Sequence, residues 1–408
     1  MTNEPAPDAA PADATSIWDR RYEAGDHVGA KPVMEGDPVD YTQHKFLYQR
    51  SIAQPLTGAL DGYSVEHVAR RFMVPAARRV LAIGSGMAFV EEFLVENGFA
   101  EHILAYEMSR SAIEAARQRV ADKPYAARLE LRSGDVLHEN LPDAAFDVVF
   151  VQAAIHHFDR IEEMYQLMHR VLRPGGLLIF DEYVGPDHHM YEPEVLAIMD
   201  RIDECLAPQY RWDHLAKHQR QHVPKPNLEW MLQHDPSEGV HASRILPLTY
   251  QWFDVVHRAD YGGSIMRPFF TGILPNFDWN DPKDQTVARL IILTEQLLTS
   301  HGVIPHYNTS VVARRRDVPR PPLTAAEANH INYTGWQDRG SPEPGALLLA
   351  AEVALRTASP PAVDAPAAVE PALPVEPAPI PAAPRRHPLV QAARSRVGRM
   401  LRAVGLRR

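Results

Sequence analysis

The sequence predicts an α/β fold: a doubly wound, mostly parallel sheet that carries a helical lid insertion. Two observations predict it. Between residues 73 and 185, short apolar runs alternate with amphipathic ones, the mark of βαβ units whose sheet is covered on both faces. After residue 185 the alternation breaks into a polar, His-rich stretch interrupted by Pro193, Pro208, Pro224, Pro226 and Pro236. Apolar runs return only near residue 248.

Taken in order, "RVLAIG" reads as a strand and "AFVEEFLVENG" as a helix stopped by Gly98. "HILAYE" is a strand, followed by the helix "SRSAIEAARQRVA" with Ser109 as its N-cap. "RLELRSGD" and "FDVVFVQ" are strands, "RIEEMYQLMHRVL" is a helix, "RPGG" a turn and "LLIFDEYV" a strand. Beyond the lid, "LTYQWFDVVHRAD" has strand-like character. "VARLIILTEQLLTSHG" is helical with Gly302 as its stop, and "IPHYNTSVVARRR" supplies a last strand.

The flanks differ in composition. Residues 1–16 are expected to be disordered, and residues 17–72 form a helical cap segment that covers part of a site. Residues 73–185 are the sheet core, and 186–315 the lid helices and last strands completing the same domain. A C-terminal extension spans 316–358. Residues 359–388 contain ten prolines and read as a Pro/Ala-rich linker, and 389–408 as a basic amphipathic helix. The terminal region beyond residue 315 is thus expected to end in a disordered tail.

Charge narrows the partners. The chain carries −10 overall, yet Arg385 to Arg408 holds eight arginines and no acid, which leaves −18 on the rest. So acidic a body is a poor grip for phosphates, and no nucleic-acid partner is expected. The basic segment suits an anionic membrane surface or an acidic protein. A single cysteine, Cys205, the lack of a signal-like N-terminus and the absence of a long apolar run lead us to expect a cytoplasmic protein, peripheral at a membrane at most.

The turn "IGSG" joins the first strand of the core to its helix. Gly84 and Gly86 allow a ligand to approach the backbone, and Ala88 stands where a third glycine is common. Glu107 ends the next strand, about where a ribose-binding acid is expected. Asp135 follows the third strand, where it can accept from an adenine amino group or simply form a turn. Gln152, His156 and His157 follow the fourth.

The ordered set "VLAIGSGMA", "AYE", "SGD", "FDVVFVQAAIHHF" and "LRPGGLLIFDEY" resembles class I S-adenosylmethionine-dependent methyltransferases over about residues 60–185, and "WDRRYEAG" resembles their N-terminal segment. The resemblance implies a Rossmann-like seven-stranded sheet and S-adenosylmethionine as cofactor. It places Gly84 and Gly86 at the methionine part, Glu107 at the ribose, and Asp135 with Val136 at the adenine; Ser85, Met108 and Gln152 complete the expected cofactor-binding set. "AIHHF", "EYVGP" and "DPSEGVHASRILPL" further resemble bacterial methyltransferases of glycan or surface-polysaccharide assembly, which implies a sugar-linked acceptor and O-methylation. A small-molecule natural-product methyltransferase, or a SAM-binding scaffold without turnover, are the other readings.

A hydroxyl acceptor must lose a proton, and histidine is the residue matched to that task near neutral pH. His156, His157 and Glu182 are therefore the candidate catalytic residues. Glu182 or its neighbour Asp181 faces the acceptor or else holds a loop amide, and Tyr183 lines the acceptor pocket or the core. "DPSE" reads as a helix start capped by Asp235, although Glu238 or His241 reaches an acceptor if the lid folds over the cleft. His214, His218 and His222 sit four apart on an expected helix beside Asp213, but no distant ligand completes a set, so no metal is expected. Oligomeric state has no signal in the sequence.

Overall fold

The computed structural model describes Asp19 and residues 41–333. The expectations for 1–16, the tail, the linker and the basic helix lie outside the described residues, as do Trp18 and Tyr22.

Seven strands form one sheet: β1 (Ala77–Ile83), β2 (Ala100–Glu107), β3 (Leu129–Ser133), β4 (Phe146–Gln152), β5 (Leu172–Tyr183), β6 (Phe253–Asp260) and β7 (Asn308–Arg315). Their order is β3-β2-β1-β4-β5-β7-β6. The first five strands are parallel, and β7 is antiparallel to both β5 and β6. The fold is thus the expected Rossmann-like, mostly parallel seven-stranded sheet. Register aligns the carboxyl ends: Ile83 lies opposite Tyr106 and Val151, and Gln152 opposite Asp181. The chain winds outward in opposite directions from β1 and β4, and the crevice at that switch point is where such sheets bind ligands.

Alternation along the strands feeds two cores. Leu81, Ile83, Val149 and Val151 face one side, with α4 (Ile161–Val171) and α7 (Ile245–Trp252) packed on them. Val80, Ala82, Val148 and Phe150 face the other, under α1 (Ser64–Phe72), α2 (Phe89–Glu96) and α3 (Arg110–Val120). Continuous apolar strands are what burial on both faces demands.

Several elements differ from expectation. "RPGG" is not a separate turn: β5 begins at Leu172 and runs through it, with a register shift against Phe146/Val148. "LTYQW" belongs to α7 rather than to a strand. Ile245, Leu246 and Thr249 lie at helical spacing and are fully buried, and Tyr165 Oη donates to the Ile245 carbonyl at 2.9 Å. The stretch holding His214, His218 and His222 is not a helix but a two-stranded hairpin, Trp212–Asp213 with His218–Gln219. Its histidines do not converge: His214 bonds Asn276 and His222 pairs with Asp200.

A third core builds the cap. The helical turns Lys45–Tyr48, Gln49–Ala53 and Gln54–Thr57 join α5 (Pro193–Glu204), the turn Met266–Phe270 and α8 (Pro282–Ser300) through Leu47, Ile52, Val195, Met199, Phe269, Phe270, Ile291 and Ile292. Gly302 stops α8 with a left-handed φ of 64°, as read from the sequence. Of the C-terminal extension, helix Ala325–Asn332 docks through Asn332 Nδ2 on the Ser243 carbonyl at 2.8 Å. Among the described residues no helix is long and apolar enough to cross a membrane.

Candidate active site

The turn after β1 is fixed by its neighbours. Gly84 and Ser85 both donate their N–H to the Tyr106 carbonyl, at 2.8 and 3.1 Å. Gly84 has φ +70°, and a Cβ there would stand 2.3 Å from that of Ala154, so the β4 loop lies directly on the turn. Gly86 has φ +52° and donates its N–H to Glu107 Oε2 at 2.8 Å. Ala88, in place of a third glycine, takes the left-handed conformation with φ 58° and opens α2.

Glu107 accepts from Gly86 and Ser109 N–H groups, and burial pushes its carboxyl up against those bonds. A carboxylate has about four acceptor sites, so acceptor capacity remains for a ribose hydroxyl. Met108 follows it, half-buried. Ser109 caps α3, and Asp19 reaches in to accept from Ser109 Oγ at 2.7 Å and Ser111 N–H at 3.0 Å. The leading segment thus touches the cofactor edge at this one described residue. Asp135 takes the turn-forming role: its Oδ1 accepts from Leu137 N–H at 2.9 Å, and Arg160 stands 3.5 Å from Oδ2. Val136 beside it is buried.

Ser85 Oγ and Gln152 Oε1 are buried with no hydrogen-bond partner. The Gly86 turn and the Glu107 carboxylate beside it stand at the carboxyl edge of β1 and β2, where such sheets take the ribose of an adenosyl ligand. The residues present therefore fit S-adenosylmethionine.

Beyond the crevice the structure gathers a cluster that only half of the sequence reading anticipated. Glu182 does not face an acceptor. It is 2% exposed. Its Oε1 accepts from Ala154 and Ile155 N–H at 2.5 and 2.6 Å, and its Oε2 bonds His156 Nδ1 at 2.6 Å. It clamps the loop that lies on Gly84 and orients His156. Burial opposes charging His156, but Glu182 outweighs it and holds the imidazole above its ordinary value. Asp181 also turns from the cleft and accepts from Tyr261 Oη; burial pushes it up to about 7. Tyr183 is buried, donates to the Pro186 carbonyl at 2.9 Å, and lies with its ring centroid 4.2 Å from that of His189.

"DPSE" does not start a helix. Asp235 follows α6 (Leu228–His234), and the chain then turns so that Glu238 enters the site. Glu238 Oε1 bonds His189 Nε2 at 2.7 Å and lies 4.0 Å from His156 Nε2, while Oε2 lies 3.8 Å from His157 Nε2. Burial would raise this carboxyl, but the three imidazoles hold it well below the usual range. His241 points elsewhere, to the Asp159 carbonyl at 3.0 Å. The lid loop is held by its backbone: His188 N–H donates to the Gly239 carbonyl at 2.9 Å. His188 and His189 both have left-handed φ, 51° and 57°, a strained pair at the cluster. Glu238 enters as the sequence allowed if the lid folds over the cleft, whereas His189 was missed as a site residue; "PDHH" directly after the fifth strand was the available signal.

Residues 81–180 match the family model described as "Methyltransferase domain". The chain is 24% identical over 226 residues to the ubiquinone/menaquinone biosynthesis C-methyltransferase UbiE of Azotobacter vinelandii, covering 52% of this chain and 88% of the relative. It is 31% identical over 141 residues to the malonyl-[acyl-carrier protein] O-methyltransferase of Enterobacter lignolyticus, covering 34% and 47%. A solved geranyl diphosphate methyltransferase in complex with SAM superposes with a TM-score of 0.37 and 10% identity, over 62% of this chain and 84% of that one. The chain is an S-adenosylmethionine-dependent methyltransferase with its methyltransferase domain at residues 81–180. The family match ends at residue 180, before Glu182 and the lid residues that close the cluster.

Proposed function

We propose that the enzyme methylates a hydroxyl on a polar acceptor, a glycan or glycosylated small molecule. The supporting observation is the His156–His157–His189–Glu238 cluster, with His156 and His189 buried and the other two half-buried, joined to the cofactor turn through Glu182 and Ala154. S-adenosylmethionine supplies a methyl group already activated on sulfur. The chain's residues then have three tasks: align the acceptor, exclude water and receive a hydroxyl proton. An imidazole cluster under a folded lid meets the last two, and its polarity suits a hydroxylated acceptor over an apolar one. The likeness to UbiE C-methyltransferases favours a second reading, a small aromatic or natural-product acceptor methylated on carbon. A scaffold that binds the cofactor without turnover is the reading from another class.

Formation of S-adenosylhomocysteine with panels of hydroxylated sugars, nucleotide sugars and phenols separates the three. A sugar-dependent rate that falls about 10²-fold or more in His156→Ala is expected. Product with phenols alone overturns the glycan reading, and cofactor binding with no product from any panel supports the scaffold. The same reading places the enzyme in the cytoplasm, with the basic 389–408 segment as its attachment to an anionic membrane or acidic protein. It rests on composition and the single cysteine.

A further inference from the structure

The geometry points to a divalent transition-metal site formed by His156, His157 and Glu238. The inference rests on the methyl-transfer reading only for its use, not for its existence.

Hydrogen bonding fixes which nitrogen of each ring faces the cluster. Glu182 accepts only, so His156 gives it the Nδ1 proton and presents Nε2 to Glu238. Ser237 Oγ donates to Asp235 at 2.8 Å and lies 3.2 Å from His157 Nδ1, so His157 also presents Nε2 to Glu238. Two ring nitrogens thus face one carboxylate across 4.0 and 3.8 Å, gaps too long for hydrogen bonds.

The three ligand atoms lie within 4.8 Å of one another. Ligands held at 2.0–2.2 Å in a tetrahedron stand roughly 3.4 Å apart, so a small contraction closes the site.

Each ligand already has an outer partner. Glu182 orients His156, Ser237 orients His157, and His189 Nε2 holds Glu238 Oε1 at 2.7 Å. Such a second shell is what fixes ligating imidazoles and carboxylates. Two imidazoles and one carboxylate suit Zn²⁺ or Co²⁺ and not Mg²⁺, which prefers oxygen. Arg267 Nη1 stands 3.6 Å from Glu238 Oε1, but its side chain is 39% exposed and has room to withdraw. Three protein ligands leave a fourth position for a hydroxyl oxygen of the acceptor, whose proton the metal would make easier to lose.

The test uses the full chain, without affinity histidines, stripped by a chelator and titrated with Co²⁺ alone. Intense visible d–d absorption saturating at one cobalt per chain is expected. Glu238→Gln and His157→Ala should remove it, His218→Ala should keep it, and Glu182→Gln should weaken binding about 10- to 100-fold. Far-UV circular dichroism and a SAM titration accompany each sample. If the ligand variants fail to fold, zinc protection of His156 and His157 from diethylpyrocarbonate in the wild type replaces them. No saturable band in the wild type, a band unchanged in both ligand variants, or no protection overturns the site. SAM binding and methyl transfer with no cobalt site leave the functional reading standing without it. Cobalt binding without SAM binding supports the metal site and removes the functional reading.

Discussion

Gly84 carries two constraints at once: a φ of +70° and a methyl-sized clash with Ala154 at 2.3 Å. A side chain in that conformation costs about 1 kcal/mol before any contact is counted. Gly84→Ala should push the β4 loop off the turn and weaken S-adenosylmethionine binding by more than about tenfold; isothermal titration reads it. Glu91, on α2 just behind the turn, poses a different problem. It is 4% exposed, and burial pushes its carboxyl up to about 8, with Glu107 adding to the rise. The folded state therefore keeps a proton that the unfolded chain releases above its ordinary value of 4.5. Stability is fully present below that value and falls as pH rises toward 8. Glu91→Gln should flatten this slope and raise stability at pH 8 by about 1 kcal/mol or more, read as denaturation midpoints at pH 5 and pH 8. The glycine turn and Glu107 were legible because a strand edge and its spacing announce them. Glu238 was not, since "DPSE" satisfies a capping pattern equally well and only the fold of the lid decides between them.

At the level of elements, strands and helices of the core could be read because one period governs each, and burial on both faces leaves the strands continuously apolar. The lid could not. Its segments are short, the apolar residues of α5 and of the Met266–Phe270 turn pack on the cap rather than on the sheet, and "LTYQW" has strand-prone residues that helix α7 buries by helical spacing. The evenly spaced histidines of 214–222 looked helical by number alone and lie on a hairpin. What positions the lid is backbone contact. Gly239 has φ +66°, and a Cβ on it would stand 3.0 Å from the His188 nitrogen, the very group that donates to its carbonyl. Gly239→Ala should loosen residues 235–241 by about 1–2 kcal/mol while leaving the glycine turn untouched. Faster proteolysis in that loop, with SAM affinity changed less than about threefold and turnover reduced more, is the expected result. Unchanged proteolysis would mean the loop is held by its side chains instead.

Over the whole molecule, the cap has its own core, so its stability and the cofactor crevice are separable. The cap's own weak point is a buried charge. Arg220 is 1% exposed and gives Nε to Asp203 at 2.9 Å and Nη1 to the Phe269 carbonyl at 2.7 Å. Its guanidinium lies 4.9 Å from the Phe269 ring. Asp203 has Arg211 Nε 2.9 Å from its other oxygen. Removing Arg220 leaves the Asp203 charge to Arg211 alone, a loss bounded by the cost of a fully stranded buried charge, about 3–5 kcal/mol. Arg220→Met should therefore release α5 from the Met266–Phe270 turn. Hydrogen exchange should accelerate in α5 and α8 well before it does in β1, β2 and β4. Because Gly84, Glu107 and Gln152 rest on the sheet and not on the cap, SAM affinity should survive while turnover falls with the loss of the roof. Exchange that speeds up equally in the cap and in β1 would show a single cooperative body, in which the cofactor crevice cannot outlast the lid.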